Sequence, residues 1–241
     1  MSSIIGTLQE FAILYWDLLP KLWGFTGVLL AKYFPARFSG EITHTLIFFF
    51  VFNIISTTLS LPLTYYQTFV LEEKFGFNKS TVKLWIQDLI KSQALMVVFG
   101  TPLISAFLKI IQKTGNWFFF YLWLFAIGVQ VFAITIYPIV ILPLFNKLTP
   151  LEEGDLKTGV EKLAARLKFP LHELYVIDGS KRSAHSNAYF YGLPWKKHIV
   201  IYDTLIEKSK DEPEEVVAVL AHELGHWKLN HTGKLFMISQ V

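Results

Sequence analysis

The feature that most limits the fold of this chain is a run of thirty residues without a charged side chain, at positions 42–71. A helix needs about 20 apolar residues to cross the hydrocarbon core of a bilayer, so the first part of this run is long enough by itself. Two more uncharged runs follow at positions 92–108 and 114–146, and the last contains an aromatic cluster that suits a membrane interface. The pattern predicts about three membrane spans between residues 42 and 147.

Composition supports a membrane protein and excludes several classes of site. Of the 241 residues, 53% are hydrophobic and 17% are charged, whereas about a quarter of the residues in a soluble domain are charged. The chain has no cysteine, so disulfide bonds and cysteine zinc sites are excluded. A net charge of +3 is too small to indicate a nucleic-acid partner. We therefore expect membrane lipid as a partner and no nucleic acid.

The two flanks of the uncharged region differ in character. Within residues 1–41, the stretch 11–34 is rich in Leu, Phe and Trp but carries Asp17, Pro20, Lys21 and Lys32. We expect N-terminal interfacial or short membrane helices there, with a poor transmembrane helix as the alternative. Residues 148–241 have the periodicity of a small α+β portion. Its predicted elements are helices at 156–167 and from about 212, and strands at 174–177, 188–191 (ended by Pro194) and 198–202.

The helix from about 212 contains a motif with the spacing of metal ligands. His222 and His226 stand four positions apart, and Glu223 follows directly after the first histidine. Positions i and i+4 lie on one face of a helix, so both imidazoles can bind one metal ion. Glu223 is turned by about 100° from His222, where its carboxylate can take a proton from an attacking water. We interpret the motif as a site for one Zn²⁺, while histidines that bond to backbone groups in a core are the alternative.

The residues before this motif predict how its helix begins. Asp211 can act as the N-cap, Glu214 stands three positions later as in a capping box, and Pro213 suits the first turn. Apolar residues follow, as in a helix that is largely buried. A buried helix would place the metal next to a dry wall, which strengthens the pull of the metal on its water.

The third metal ligand is not evident from the sequence. A catalytic zinc site uses three protein ligands, and the motif supplies two. His231 does not match the longer HExxHxxGxxH motif, which requires Gly and His at positions where this chain has Leu229 and Thr232. We therefore expect His231 at the surface or behind one of the ligands. Upstream acids could serve instead, but nothing in the sequence favours one of Glu161, Glu173 and Glu207.

Five segments of the chain form a specific combination. They are FVLEEKFGFN at 69–78, PLFNKLTP at 143–150, DGSKRSAHSNAYF at 178–190, and the stretches 199–205 and 221–229. Together they closely resemble the type I CAAX prenyl protease family, whose members are integral-membrane zinc metalloproteases. The similarity follows the fungal members and extends over most of residues 40–241.

The resemblance implies an activity and a place in the cell. Family members are enzymes of the endoplasmic reticulum and inner nuclear membrane, with seven spans around a large chamber. They remove the last three residues of a farnesylated CAAX motif and make a second, upstream cut in a pheromone-precursor or prelamin-type substrate. We therefore expect a zinc metalloendopeptidase of this type in the endoplasmic reticulum membrane, with a prenylated CAAX protein or a pheromone precursor as substrate.

The resemblance also assigns roles to residues. It implies that His222 and His226 bind zinc and that Glu223 is the general base. Asn187, Ala188 and Tyr189 would belong to an edge strand that pairs with the backbone of the substrate. By composition alone, this Ser- and Asn-rich stretch is typical of a surface loop.

The chain departs from the family pattern at both ends. Family members usually begin with a further membrane helix and take their third zinc ligand from a downstream ExxxD motif, and neither is present here. We expect a chain truncated at both ends, with a metalloprotease portion at 148–241 that is incomplete at its C-terminus. The predicted fold class is a mostly α, multi-span membrane protein with a small α+β zinc-metalloprotease portion that carries the HExxH helix.

Two other functions remain open from the sequence. A membrane quality-control metalloprotease could use the same helix on misfolded proteins, and a truncated pseudoprotease could act as an inactive scaffold. A transporter is disfavoured because the uncharged runs, apart from His44, lack the buried ionisable residues that such proteins use.

Overall fold

A computed structural model describes residues 2–35, 39–193 and 195–240. Pro194, which we expected to end an extended segment, lies outside the described residues. The chain divides into two compact units, which we describe separately. The first comprises Met1–Glu72 and Ile90–Phe118, and the second comprises Glu73–Leu89 and Phe119–Val241.

The first unit is helical, and many large apolar side chains of its helices are exposed. Helices α2 and α3 pack together, and between them His44 Nε2 lies 3.2 Å from the Thr26 hydroxyl and 3.1 Å from the Trp23 carbonyl oxygen. By contrast, α3 has no buried residue among those described. Apolar side chains on the outside suit a helix in lipid, because lipid tails are apolar. A helix also makes its backbone hydrogen bonds internally, so it leaves no backbone polar group exposed to lipid. The helices are α1 (Ser2–Tyr15), α2 (Leu18–Tyr33), α3 (Glu41–Tyr66) and part of α4 (Val82–Thr114).

Among the described residues, two helical stretches are long and apolar enough to cross a membrane, Glu41–Glu72 and Val82–Phe145. The second stretch holds α4 and α5 (Phe118–Ile136), which a short 3-10 turn at Gly115–Trp117 separates. Gly115 takes a φ of +51° in this turn, a conformation that glycine adopts at little cost. With 33 and 19 residues, each helix is near or above the length that a span requires. The number of three spans stays a prediction.

The second unit is built on a four-stranded sheet with the order β1-β2-β4-β3. Strands β2 and β4 are parallel, and the two outer strands pair antiparallel to their neighbours. Helices α7 and α9 pack together with the sheet around one core, where Val160, Ile199 and Leu224 are fully buried. The strands are β1 (Leu148–Pro150), β2 (Leu171–Ile177), β3 (Ala188–Leu193) and β4 (Lys196–Tyr202), and the helices are α6 (Leu142–Phe145), α7 (Asp155–Leu167), α8 (Asp203–Lys208), α9 (Pro213–Lys228) and α10 (His231–Ile238).

The structure confirms the elements predicted for this unit and corrects one detail. Each predicted strand is present and is longer by two or three residues, while β1 and α8 were not predicted. The capping box was wrong, because the N-cap of α9 is Glu212 and makes no side-chain capping bond. Pro213 occupies the first helical position, which leaves Asp211 one residue too early to cap the helix. Instead, the Ser209 hydroxyl donates a hydrogen bond to the Glu215 carboxylate at 2.9 Å.

Candidate metal centre

Helix α9 has one buried face and one open face. Val216, Leu220 and Leu224 recur every four residues and are at most 1% exposed in the core against the sheet and α7. His222 and His226 lie outside this stripe and are exposed among the described residues. In this structure neither imidazole is a core side chain. Burial of the apolar stripe fixes the rotation of the helix about its axis, and it leaves both imidazoles accessible.

The spacing of the two imidazoles fits a zinc ion. The Nε2 atoms of His222 and His226 are 3.2 Å apart, and the two rings are nearly perpendicular. Two ligands of a tetrahedral zinc ion, each about 2.05 Å from the metal, lie about 3.3 Å apart. Imidazole nitrogens are also preferred zinc donors. The pair can therefore hold one zinc ion, and Glu223, half-buried on the same helix, is one position away.

His231 does not complete this ligand set. Its Nδ1 lies 2.7 Å from Nδ1 of His226, which is the ring nitrogen of His226 that does not face His222. Within the described ranges, no group of three or more His, Asp or Glu side chains could hold a metal ion. Glu161, Glu173 and Glu207 therefore do not join the histidine pair. Glu173, for example, accepts a hydrogen bond from the Tyr175 hydroxyl on β2.

Strand β3 lies at the edge of the sheet beside α9. Ala188 is buried in the same core as Leu220 and Leu224, so the predicted substrate strand and the predicted metal helix are neighbours. The Asn187 carbonyl accepts the Tyr202 N–H at 3.0 Å. Backbone groups alternate in direction along a strand, so those of Ala188 and Phe190 point to the open edge. The edge at Ala188 can therefore accept a further strand.

The three predicted substrate-binding residues differ in what they present. Ala188 offers its backbone, and its side chain is buried. The side-chain oxygen of Asn187 accepts the Ala188 N–H at 2.8 Å, so it covers a donor of the open edge. Tyr189 directs its ring to the other sheet face, against Tyr202. Burial there raises the pKa of the Tyr189 hydroxyl above its usual range, so the ring stays neutral.

Two segments singled out by the resemblance are bonded to each other. The Phe77 carbonyl accepts the Ala184 N–H at 2.9 Å, and the Lys79 N–H donates to the Arg182 carbonyl at 3.1 Å. The Arg182 guanidinium makes two bonds to the Asp88 carboxylate, at 2.8 and 3.1 Å. These contacts hold the loop that leads into β3. The ion pair of Arg182 and Asp88 was not predicted from the sequence, although charged residues are few in this chain.

The segment at 143–150 is bonded to the same loop. The Asp178 carboxylate accepts the backbone N–H of Lys147 at 2.7 Å and the side-chain amide of Asn146 at 3.2 Å. Two residues after Asp178, Ser180 donates its N–H and its hydroxyl to the Asp203 carboxylate. Hydrogen bonds to neighbouring segments therefore hold residues 178–187 in place, so this connection is not a free surface loop.

Two protein-family models match the chain and together cover nearly all of it. A model described as "CAAX prenyl protease N-terminal, five membrane helices" matches residues 1–147, and the model of peptidase family M48 matches residues 150–241. The chain belongs to the CAAX prenyl protease family. The resemblance and the predicted fold class of a multi-span membrane protein with a small α+β portion are thereby confirmed. Membership of a metallopeptidase family implies a metal cofactor.

Individual family members are similar over nearly the whole chain. "CAAX prenyl protease 1" of Saccharomyces cerevisiae is 48% identical over 99% of this chain, and the Arabidopsis thaliana homologue is 48% identical over 99%. The crystal structure of S. mikatae Ste24p superposes with a TM-score of 0.91 at 47% identity and covers 99% of this chain. The match covers 53%, 56% and 55% of those three proteins, so the chain spans about half their length.

Proposed function

We propose that the chain provides the zinc-binding part of a metalloendopeptidase that removes the C-terminal tripeptide of prenylated CAAX proteins. The observation that carries this proposal is the 3.2 Å separation of the Nε2 atoms of His222 and His226, on a helix beside an open strand edge. The names of the family members supply the substrate class. A second, upstream cut in a precursor such as a pheromone precursor belongs to the same proposal.

The residues of the site divide the chemistry among them. His222 and His226 would hold Zn²⁺, which when bound would supply a Lewis acid that makes water more acidic. Glu223 accepts a proton from the attacking water at its carboxylate and later donates it to the leaving amine nitrogen. The carboxylate thus returns to its starting form after each cleavage.

The edge of β3 positions the substrate in this proposal. An extended peptide adds to an exposed strand through main-chain hydrogen bonds. The N–H and carbonyl groups of Ala188 and Phe190 are directed to the open edge, because the Asn187 carbonyl faces Tyr202 on β4. The side chain of Asn187 must release the Ala188 N–H when the peptide pairs there.

The membrane helices support a location in the endoplasmic reticulum membrane, extending to the inner nuclear membrane, with lipid as a partner. We divide the chain into residues 1–41, a membrane region at 42–147 and the metalloprotease portion at 148–241. A prenylated substrate would meet the site at a membrane, because its lipid is apolar.

A substitution of the proposed base tests the function. Glu223→Gln keeps the size of the side chain but removes the proton acceptor, so we expect cleavage of a farnesylated CAAX peptide to fall by about 10²- to 10⁴-fold. Zinc content should stay unchanged, because the carboxylate is not one of the proposed ligands. Glu214→Gln is the matched control, since it makes the same change at an exposed position of the same helix.

Three outcomes would contradict the proposal. Full turnover in Glu223→Gln would remove the role of the base. Equal cleavage of farnesylated and unprenylated peptides would indicate a quality-control protease instead. Purified protein that binds no zinc would indicate an inactive scaffold.

A further inference from the structure

We infer that His231 is a positioning residue for the zinc site, because its imidazole holds the His226 ring in the orientation and tautomer that a metal ligand needs. This inference rests on the proposed function, since it concerns the same site. It starts from the contact between the two Nδ1 atoms, which are 2.7 Å apart. The ring centroids are 4.9 Å apart, and the rings are steeply inclined.

Chemistry decides which ring donates in this contact. A neutral imidazole carries one proton, and the nitrogen without it is the one that binds a metal. His226 turns Nε2 to His222, so its proton must be on Nδ1 if Nε2 is to bind zinc. Nδ1 of His231 is then the acceptor. Ligand histidines usually donate their second ring N–H to such a partner, which fixes the ring and makes it a stronger ligand.

The chain brings His231 to this place by a tight turn between two helices. Helix α9 ends at Lys228, and Asn230 takes a left-handed conformation with φ +52° and ψ +41°. Asn is among the few non-glycine residues that adopt this conformation readily. The Asn230 carbonyl then accepts the Lys234 N–H at 3.0 Å as α10 begins. His231, the first residue of α10, is thereby directed back to the last turn of α9.

Gly233 leaves room beside this turn for the Asn230 side chain. A Cβ atom at position 233 would lie 2.4 Å from the side-chain oxygen of Asn230, so that side chain would have to move. The backbone closes the turn by itself, because the Asn230 N–H donates to the Trp227 carbonyl at 2.9 Å.

The inference explains why His231 departs from the longer zinc motif. A ligand at position 232 would have to reach the metal from the Nε2 side of His226, whereas His231 contacts the opposite nitrogen. Its spacing from His226 suits support of that ring. His231 is therefore not the third ligand.

The affinity of the purified protein for zinc, measured by competition with a chelator, tests this role. We expect His231→Ala and His231→Leu to bind zinc about 10- to 100-fold more weakly, which is the usual loss when the partner of a ligand is removed. Leucine fills a similar volume, so packing alone cannot explain its effect. His231→Asn should retain most of the affinity, because its side-chain oxygen can take the place of Nδ1.

Two controls separate positioning from a general effect on the fold. His172→Ala removes an exposed histidine from β2 in the same unit and should leave zinc affinity unchanged. The thermal unfolding midpoint of the zinc-free protein should be the same for the parent and for the variants at position 231. The inference is wrong if His231→Ala binds zinc as tightly as the parent, or if Asn is no better than Ala. A parent protein without zinc would instead refute the proposed function itself, and with it this role for His231.

Discussion

The membrane helices and the sheet region contain similar hydrophobic side chains, but these are largely exposed in the helices and buried in the sheet region. In α3, Ile54 and Leu59 are 59% and 61% exposed, and no described residue of that helix is buried. In the sheet region, Ile199 and Ile201 are completely buried against α7 and α9. The hydrophobicity of a side chain predicts that it is removed from water. It does not predict whether the side chain then contacts lipid or other protein side chains. The difference lies in the neighbouring elements, because the sheet is covered by helices α7 and α9, whereas much of the α3 surface has no described element against it.

The largest expected effect comes from removing the same side chain in the two regions. Leu220→Ala would leave a cavity in the core of the sheet region, and we expect a loss of about 2–5 kcal/mol in the free energy of unfolding. Leu59→Ala removes an exposed leucine from α3, and we expect a loss below about 0.5 kcal/mol. Denaturant unfolding of both variants in the same detergent measures the difference. Equal losses would show that the comparison between the two regions is mistaken.

A smaller effect tests the polar contacts that hold the loop before β3. The side chains of Arg182 and Asp88 are 23% and 21% exposed, so their two hydrogen bonds are only partly screened by water. Arg182 Nη2 also donates to the Phe145 carbonyl at 2.6 Å. We expect Arg182→Ala to lower the free energy of unfolding by about 1–3 kcal/mol.

The control for this prediction is a substitution that keeps the positive charge at position 182 but cannot form the two-bond contact with Asp88. Arg182→Lys cannot make two parallel bonds to one carboxylate, so its loss should be intermediate. Limited proteolysis within residues 178–187 measures the loop directly, since a loosened loop is cut faster. A lysine variant as stable as the parent would mean that charge alone holds the loop, as at an ordinary exposed ion pair.

The smallest effect concerns the protonation of one sheet histidine. Burial lowers the pKa of His198 below its usual value, while the Glu173 carboxylate 3.7 Å away opposes that shift. The unfolded chain then binds a proton at a higher pH than the folded protein does, so the free energy of unfolding falls as pH falls. This contribution is fully present above about pH 6.5 and is lost below it. The unfolding midpoint should therefore decrease between pH 7.5 and 5.

A substitution isolates this titration from the others. His198→Gln keeps a polar side chain of similar reach but cannot gain a proton, so its midpoint should change less over the same pH range. Circular dichroism at several pH values provides the measurement for both proteins. If acid lowers the midpoint of the two proteins equally, His198 is not the group responsible.

Local patterns predicted much of the sheet region because they report on single elements. The helix of His222 and the strand at 198–202 were found from spacing and composition, since an element shows its buried face in its own sequence. The start of α9 was misplaced because a capping box depends on backbone angles that the letters do not contain. The salt bridge of Arg182 was missed because Asp88 is 94 positions away in the chain.

The sequence by itself determined the presence of membrane helices, the HExxH motif and the family to which the chain belongs. These properties depend on residue types and short spacings, which can be read along the chain. Only the tertiary structure decided that the imidazoles face outward, that β3 is an edge strand packed against α9, and that His231 contacts the far nitrogen of His226. Each of these depends on how a helix is rotated or how a turn is closed, and packing against distant residues sets both.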